Sequence, residues 1–277
     1  MNLNDIKNLK ASNEKTDKMP VLFVGHGSPM NAIEENEFSA GWRQAGETLP
    51  KPSLILCVSA HWETNGTQVT AVPKPRTIHD FYGFPRELYN VEYPAPGSPE
   101  MALEVKNGVK KTEVALDERW GLDHGAWSVI KHMYPKADVP VVQLSLDRTK
   151  DPLWHLELAK DLAFLRERGV LIVGSGNMVH NLRLVAWDKM NEPVYGYDWA
   201  WEADRKLHNL INNGDFKSLA KYDALGDDMR LSVPTPEHFL PLLYVLGLKE
   251  EKENISWFND KLIMGSLSMG SIIVQGE

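Results

Sequence analysis

The chain has 277 residues, 43% of them hydrophobic, which is enough for a packed core in one large domain or two small ones. Its 30 basic and 38 acidic residues give a net charge of −8, which argues against nucleic acid and anionic membranes as partners and favours a small-molecule ligand. No apolar run approaches the roughly 18 residues that a membrane span needs. Residues 1–18 lack the apolar core of a signal peptide. We therefore expect a cytoplasmic protein with a flexible tail at 1–18 and one domain over 19–277.

Apolar runs bounded by Gly, Ser or Pro predict buried strands, and apolar residues three and four apart predict helices between them. The predicted strands lie at 20–25, 53–60, 67–72, 139–146, 170–174 and 262–275, and the predicted helices at 100–110, 152–168 and 198–212. This alternation predicts an α/β fold, with a central mostly parallel (mixed) sheet and helices on both faces. Residues 71–99 are rich in proline and aromatic side chains, and predict a long ordered loop.

Three histidines lie where an apolar run gives way to small or polar residues. His26 stands in VLFVGHGSP, His61 in LILCVSAHW and His180 in VLIVGSGNMVH. The glycines beside His26 allow a sharp backbone turn. The crevice at the carboxyl ends of parallel strands is where such sheets bind ligands, so three imidazoles there could converge on one metal ion. The alternative is a set of partly buried histidines that are hydrogen-bonded to carbonyl groups.

Three further histidines have sequence neighbours that suggest a metal-binding or acid–base role. In VPTPEHFLPLLYVLG, Thr235 is a suitable N-cap and Pro236 suits the first helical position, which predicts Glu237 and His238 in the first turn of a helix. The positive end of that helix would keep His238 unprotonated and available to a metal. His124 in WGLDHGAW and His79 in TIHDFYGFP each adjoin an aspartate and could assist acid–base chemistry, although a loop histidine such as His79 is as well explained by a surface position. The remaining histidines, in segments with helical spacing, are interpreted as surface or core packing; they are His132, His155 and His208.

Nine segments together carry a resemblance over about residues 19–275. They are GHGSPMNAIE, SAHWET, TIHDFYGFP, YPAPGSPE, GLDHGAWSVI, VPVVQLSLD, SGNMVHNLR, PTPEHFLPLLYVLG and MGSLSMGS, in this order. In this combination the chain resembles the class III extradiol ring-cleavage dioxygenases, and among them the bacterial 4,5-DOPA dioxygenase branch. The resemblance implies an α/β catalytic domain over 19–277 with its metal in a cleft at the carboxyl ends of the strands. It also implies Fe(II) as the catalytic ion, with Zn(II) able to occupy the same site, and O2-dependent opening of a catechol such as L-DOPA to a muconic semialdehyde type of product.

Carried onto this sequence, the resemblance makes His26, His61 and His238 metal ligands. It makes His180 either a fourth ligand or the acid–base residue beside the metal, and His124 a further catalytic histidine. We expect aromatic side chains near these histidines to bind the substrate ring and exclude water; the predicted binding residues are Trp62, His79, Phe81 and Tyr82.

The predicted ligand set departs from that of most non-haem Fe(II) oxygenases, which use two histidines and one carboxylate. Here the third position is His238, with Glu237 as the alternative ligand. Neighbouring residues in a helical turn point about 100° apart, so only one of the two can face the metal. An all-imidazole site would stabilise Fe(III) less well and would accept zinc readily. Two other functions remain open from the residues alone: a zinc-dependent hydrolase, and a non-catalytic relative that binds small molecules.

Overall fold

The structure is a computed structural model that describes residues 17–276. Apart from its last two residues, the tail predicted at 1–18 lies outside the described residues. In the described part of the chain, no helix combines the length and the apolar character needed to cross a bilayer.

An eight-stranded sheet lies at the centre of the described structure. Its strands are β1 (Val21–Gly25), β2 (Leu54–Thr64), β3 (Thr67–Thr70), β4 (Val114–Asp117), β5 (Val141–Asp147), β6 (Val170–Gly176), β7 (Asn254–Phe258) and β10 (Ser271–Gln275), and a separate pair is formed by β8 (Leu262–Ile263) and β9 (Leu267–Ser268). The order across the large sheet is β4-β3-β5-β2-β6-β1-β10-β7. The pair β4 and β3 is parallel, and so are the successive pairs in the run β5, β2, β6 and β1. The strand β10 is antiparallel to both of its neighbours, β1 and β7, and β3 is antiparallel to β5. The predicted mostly parallel, mixed sheet is confirmed.

Helices cover both faces of this sheet, as the sequence predicted. They are α1 (Glu37–Thr48), α2 (Arg86–Tyr89), α3 (Pro99–Gly108), α4 (His124–Met133), α5 (Pro152–Leu158), α6 (Ala163–Arg166), α7 (Asp198–Asn212), α8 (Phe216–Leu219), α9 (Asp227–Ser232) and α10 (Leu240–Gly247). Successive residues of β1 enter different cores: Leu22 packs with Trp42 of α1 and Trp127 of α4, and Phe23 packs with the core that contains α5, α7 and α10. This alternation is the two-residue period of a strand that is buried on both faces.

Two predicted elements are interrupted. The strand predicted at 262–275 is three short strands, because Met264 and Gly265 both have positive φ, 51° and 85°, and reverse the chain between β8 and β9. The helix predicted at 152–168 is α5, a 3-10 turn at Ala159–Leu162 and α6. The helix predicted at 198–212 is confirmed as α7.

One buried cation ties the edge of the fold together. Arg166 of α6 is 1% exposed, and its Nε donates to the carbonyl of Met19 at 2.7 Å. Its Nη1 donates to the carbonyl of Leu248 at 2.9 Å and to Glu253 Oε2 at 3.1 Å. Although burial acts to raise it, the hydrogen bonds from Arg166 hold the pKa of Glu253 below its ordinary value. Arg166 therefore joins three segments that are remote in sequence.

Replacing Arg166 by Met should lower the free energy of unfolding by about 3–5 kcal/mol, because Glu253 would lose its buried partner and keep only Lys18, at 3.8 Å. Urea unfolding followed by circular dichroism measures the change. Lys189→Met is the matched control, since it removes a cation from a surface pair with Glu192 and should change stability little. A loss of less than about 1 kcal/mol for Arg166→Met would show that the buried ion pair stabilises the fold no more than a surface pair does.

Candidate metal centre

The site lies at the edge of the sheet where β1 and β6 end and where β2 stops pairing with β6. Gly25 is opposite Gly176, and Ser59 is opposite Ser175. The ladder continues one step further, because the N–H of His26 donates to the carbonyl of Gly176 at 3.0 Å. His61 lies within the longer β2, in a stretch where the pairing with β5 shifts register between residues 58 and 63. Parallel pairing thus places His26 and His61 at one edge.

The glycines beside His26 are required by close packing. Gly27 has a φ of 59°, and a Cβ added to it would lie 2.5 Å from Sδ of Met269. A Cβ on Gly25 would lie 2.7 Å from the carbonyl carbon of the same Met269. The sharp turn that the sequence predicted around His26 is therefore present, and Met269 packs directly against its two glycines.

His124 is the first residue of α4, and a buried carboxylate fixes that helix start. Asp123 is the N-cap, and its Oδ1 accepts from the N–H of Ala126 at 3.1 Å and from the hydroxyl of Ser59 at 2.6 Å. Its Oδ2 accepts from Nε2 of Gln143 at 2.7 Å. Since the hydroxyl of Ser59 also accepts from the N–H of His61 at 3.2 Å, one network positions both histidines.

The expectation that His238 lies in the first turn of a helix is wrong. The helix α10 begins at Leu240, and Pro241, which has no N–H to donate, occupies its first turn. Residues 236–239 form a separate turn, in which Thr235 donates to the Glu237 carboxylate instead of capping the helix. This turn lies against the end of β6, where a Cβ on Gly176 would be 2.1 Å from the carbonyl oxygen of His238.

Five imidazoles converge at this edge. Nε2 of His26 and Nε2 of His61 lie 3.1 Å apart. The ring of His238 lies 5.3 Å from that of His26 and 5.0 Å from that of His61, centroid to centroid. The ring of His124 lies 3.9 Å from that of His61. His180 stacks on His238 with centroids 3.6 Å apart and planes 10° apart.

The ligand atoms form two subgroups. Those of His26, His61 and His124 all lie within 4.8 Å of one another. A second subgroup with the same spread consists of His180, Glu237 and His238. The structure therefore brings together every histidine that the sequence placed at the metal, and it sets His124 closer to His26 and His61 than the sequence indicated.

For three of the histidines, hydrogen bonds outside the cluster determine which ring nitrogen faces inward. The hydroxyl of Ser175 donates its proton to the carbonyl of Gly125 at 2.6 Å, so it can only accept from Nδ1 of His26, 3.0 Å away. The carboxylate of Asp80 accepts from Nδ1 of His124 at 2.9 Å and from the backbone N–H of the same residue at 2.8 Å.

A third histidine has a carboxylate acceptor in the same position, because Glu237 Oε1 lies 3.2 Å from Nδ1 of His238. In His26, His124 and His238 the proton is thus held on Nδ1, and Nε2 presents a lone pair to the centre. Nδ1 of His61 lies 3.5 Å from Asp80 Oδ2.

The protonation states agree with this arrangement. Burial, followed by repulsion from the neighbouring imidazoles, holds the pKa of His26 and that of His61 well below the ordinary value. Burial also lowers the pKa of His238, and it lowers that of His180 to about 3. Although burial acts to raise it, the hydrogen bond with His238 lowers the pKa of Glu237 to about 2. The low pKa values favour the neutral form of these four imidazoles, and the carboxylate of Glu237 lies outside them.

A metal ion fits this donor set. Nε2 of His26 and Nε2 of His61 face each other at 3.1 Å, and because the proton of His26 is held on Nδ1, its Nε2 lone pair is available to a cation. Imidazole nitrogen suits Fe(II) and Zn(II) alike. The residues that could hold the ion are His26 and His61 together with His238, His124 or His180.

The predicted substrate-binding residues have different surroundings. Phe81 lies edge-on to His124, with centroids 5.6 Å apart, and borders the cluster. His79 packs against Phe81, and its Nε2 is hydrogen-bonded to the carbonyl of Val91 at 2.9 Å, which fixes the loop. Trp62 is buried in a stack on Trp120. Tyr82 is 91% exposed, so in this structure its ring is a surface group and does not line the pocket.

Sequence reasoning missed the residues that orient the histidines. Asp80 follows His79 in the aromatic loop, and Ser175 lies within the glycine-rich end of β6. A carboxylate beside a histidine was visible in TIHDFYGFP, but its partner His124 is 44 residues further on. Only the path of the loop brings them together.

Comparison with known proteins assigns the chain to a family. Residues 20–267 match the family described as the catalytic LigB subunit of aromatic ring-opening dioxygenase. The chain is 47% identical to the 4,5-DOPA dioxygenase extradiol of Escherichia coli (strain K12), with 92% of this chain and 94% of that protein covered. It is 38% identical to the 4,5-DOPA dioxygenase extradiol of Beta vulgaris, with 90% and 94% covered. It also resembles the crystal structure of an uncharacterized protein from Escherichia coli K12, with a TM-score of 0.77, 42% identity, and 93% of this chain and 100% of that chain covered.

The chain belongs to the LigB family, within the class III extradiol ring-cleavage dioxygenases. It is an extradiol dioxygenase, which acts on a small aromatic molecule and O2. Enzymes of this family are metal-dependent, and the cluster of histidines at the sheet edge provides a site for the metal.

Single alanine variants should separate the ligands from the other histidines. We expect His26→Ala, His61→Ala and His238→Ala to retain less than about a tenth of the wild-type metal after reconstitution with Fe(II) or Zn(II), because the family resemblance assigns these three as ligands and His124 to the acid–base chemistry. His124→Ala should keep its metal. Elemental analysis after desalting measures the content, and His132→Gln, which alters a histidine bonded to the carbonyl of Asn31, is the control. Loss of metal from His124→Ala with retention in His238→Ala would reverse the assignment.

Asp80→Asn should weaken metal affinity by about 10–100-fold while the fold persists, because it removes the negative charge that accepts from Nδ1 of His124 and that lies 3.5 Å from Nδ1 of His61. Competition with a chromophoric chelator measures the affinity. Asp138→Asn, which alters a surface carboxylate paired with Lys51, should leave it unchanged. Equal affinities for Asp80→Asn and the wild type would mean that this carboxylate does not orient the histidines.

Proposed function

We propose that this enzyme cleaves a catechol such as L-DOPA at the 4,5-extradiol position with O2, giving a muconic semialdehyde type of product. Relatives that cover nine-tenths of the chain bear the name 4,5-DOPA dioxygenase extradiol, which supports this substrate class. The observation that carries the proposal is the pair of inward-facing Nε2 atoms of His26 and His61, 3.1 Å apart, at the carboxyl edge of a parallel sheet.

In this proposal, His26, His61 and His238 hold the metal. Fe(II) bound there would supply the one-electron chemistry with O2 and would favour the ionised form of the catechol hydroxyl that it contacts. Zn(II) could occupy the same donors without supplying the redox chemistry. Glu237 is less suited to be the ligand, because its carboxylate is engaged by Nδ1 of His238 and by the hydroxyl of Thr235.

We assign the general base to His124. Its Nδ1 proton is held by Asp80, so its Nε2 is free to accept the proton of a catechol hydroxyl. The carboxylate of Asp80 would then stabilise the imidazolium that forms, as an aspartate does behind a catalytic histidine. Although burial acts to raise it, the hydrogen bonds from His124 hold the pKa of Asp80 below its ordinary value, so the charge needed for this role is present.

His180 and Phe81 complete the proposed pocket. His180 lies face to face with His238, from which position it serves as the fourth ligand or as a second proton carrier. Phe81 presents its ring edge-on to His124 and gives the catechol ring an apolar wall. An apolar wall also keeps water from the reacting atoms.

The test is anaerobic reconstitution with Fe(II), followed by addition of L-DOPA and air while O2 uptake and the visible spectrum are recorded. One O2 per catechol and a yellow product are expected. His124→Gln should retain the metal and lose about 10²–10⁴-fold in kcat.

Mass spectrometry and NMR of the product decide which ring bond is broken. No O2 uptake with L-DOPA or plain catechol, despite one metal per chain, would contradict the proposed substrate class. Cleavage at the 2,3 position would contradict the proposed regiochemistry alone.

A further inference from the structure

A second group of metal-ligating side chains lies outside the histidine centre. Asp204 and His208 lie on α7, and Asp260 lies in the turn that follows β7. Nε2 of His208 is 3.1 Å from Asp260 Oδ1 and 3.7 Å from Asp204 Oδ2, and the three ligand atoms all lie within 4.8 Å of one another. The sequence assigned His208 to packing, and this cluster gives it a different setting.

The fold holds these groups together by contacts on either side. Asp204 and His208 are four residues apart on one helix, so their side chains share a face. The ring of His208 stacks on Trp257 of β7, with centroids 3.8 Å apart and planes 14° apart, and Nε1 of Trp257 donates to Oδ1 of Asn212 at 3.1 Å. The imidazole is therefore restrained in orientation, with Nε2 directed at the carboxylates.

The cluster opens into a cleft of about 380 Å³ whose other polar lining includes Arg205, Asn209 and Lys261. Both cations of this lining pair with other acids: Arg205 with Glu202 at 2.8 Å, and Lys261 with Glu37. Among the described residues, the ion pairs formed by Asp204 and Asp260 both come from His208. Two carboxylates thus face one imidazole in a space that is accessible to a small ion.

We propose that Asp204, His208 and Asp260 form a second, peripheral site for a divalent cation of the zinc class, such as Zn²⁺ or Co²⁺. One imidazole and two carboxylates suit these borderline ions, whereas Ca²⁺ and Mg²⁺ prefer sets made of oxygen alone. The cation neutralises the two carboxylates and links α7 to the turn after β7.

A hydrogen bond connects the turn that carries Asp260 to a residue that packs against the histidine centre. The carbonyl of Lys261, next to Asp260, accepts from the N–H of Met269 at 2.9 Å, and Met269 packs behind His26 at Gly25 and Gly27. The peripheral ion should therefore stabilise the segment that contains Met269, without contacting the reacting groups.

The test begins with enzyme whose histidine centre is already loaded, as verified by elemental analysis. Equilibrium dialysis against Co²⁺ should show one further ion per chain in the wild type. Asp204→Asn and His208→Gln should each bind this ion at least tenfold more weakly. Glu202→Gln, which removes a carboxylate of the same helix outside the cluster, should bind it as the wild type does.

Thermal unfolding with and without Co²⁺ provides the second measurement. The wild type and Glu202→Gln should gain several degrees in Tm on addition of Co²⁺, and the cluster variants should gain none, while their Tm without Co²⁺ shows that they are folded. No further Co²⁺ in the wild type, or equal uptake by wild type and cluster variants, would overturn the proposal. Neither measurement depends on turnover, so they stand apart from the test of the ring-cleavage activity.

Discussion

The parallel register of β1, β6 and β2 is the constraint on which the rest of the site depends. With Gly25 opposite Gly176 and Ser59 opposite Ser175, the chain leaves three neighbouring strands at the same edge. A slip of one residue would turn the side chain of Ser175 to the other face of the sheet and would leave Nδ1 of His26 without its acceptor. The register of these strands therefore determines which ring nitrogen of His26 carries the proton.

The acceptors on Nδ1 show how the centre is prepared before any ion binds. Ser175 comes from a strand, Asp80 from a long loop and Glu237 from a turn, yet each holds an imidazole by its outer nitrogen. Side chains whose orientation is fixed in folding lose little entropy on binding the ion. The binding free energy is therefore not reduced by the cost of ordering the ligands.

The sequence was most informative where burial is complete. Strands such as β6, buried throughout, stand out as continuous apolar runs, whereas β4 and β7 escaped notice because most positions of these short segments are exposed or half-buried. The break at Met264 and Gly265 was invisible because it depends on backbone angles and not on hydropathy. In the site, glycine-flanked and strand-associated histidines could be named in advance. Their pairing with Asp80 could not, because it depends on the course of the loop, and the same loop carries Tyr82 to the surface.

The position of β10 has a consequence for the order in which the enzyme can assemble. The strand lies beside β1, and the N–H of Gly25 donates at 3.0 Å to the hydroxyl of Ser271, which is 246 residues further along the chain. On a ribosome, β1 emerges 246 residues before Ser271, and its edge on that side stays unpaired until β10 has been made. A nascent chain stalled before Ser271 would expose that edge to chaperones or to other nascent chains. Because the five histidines of the centre all precede Ser271, β1 gains this neighbour only after every one of them has been made.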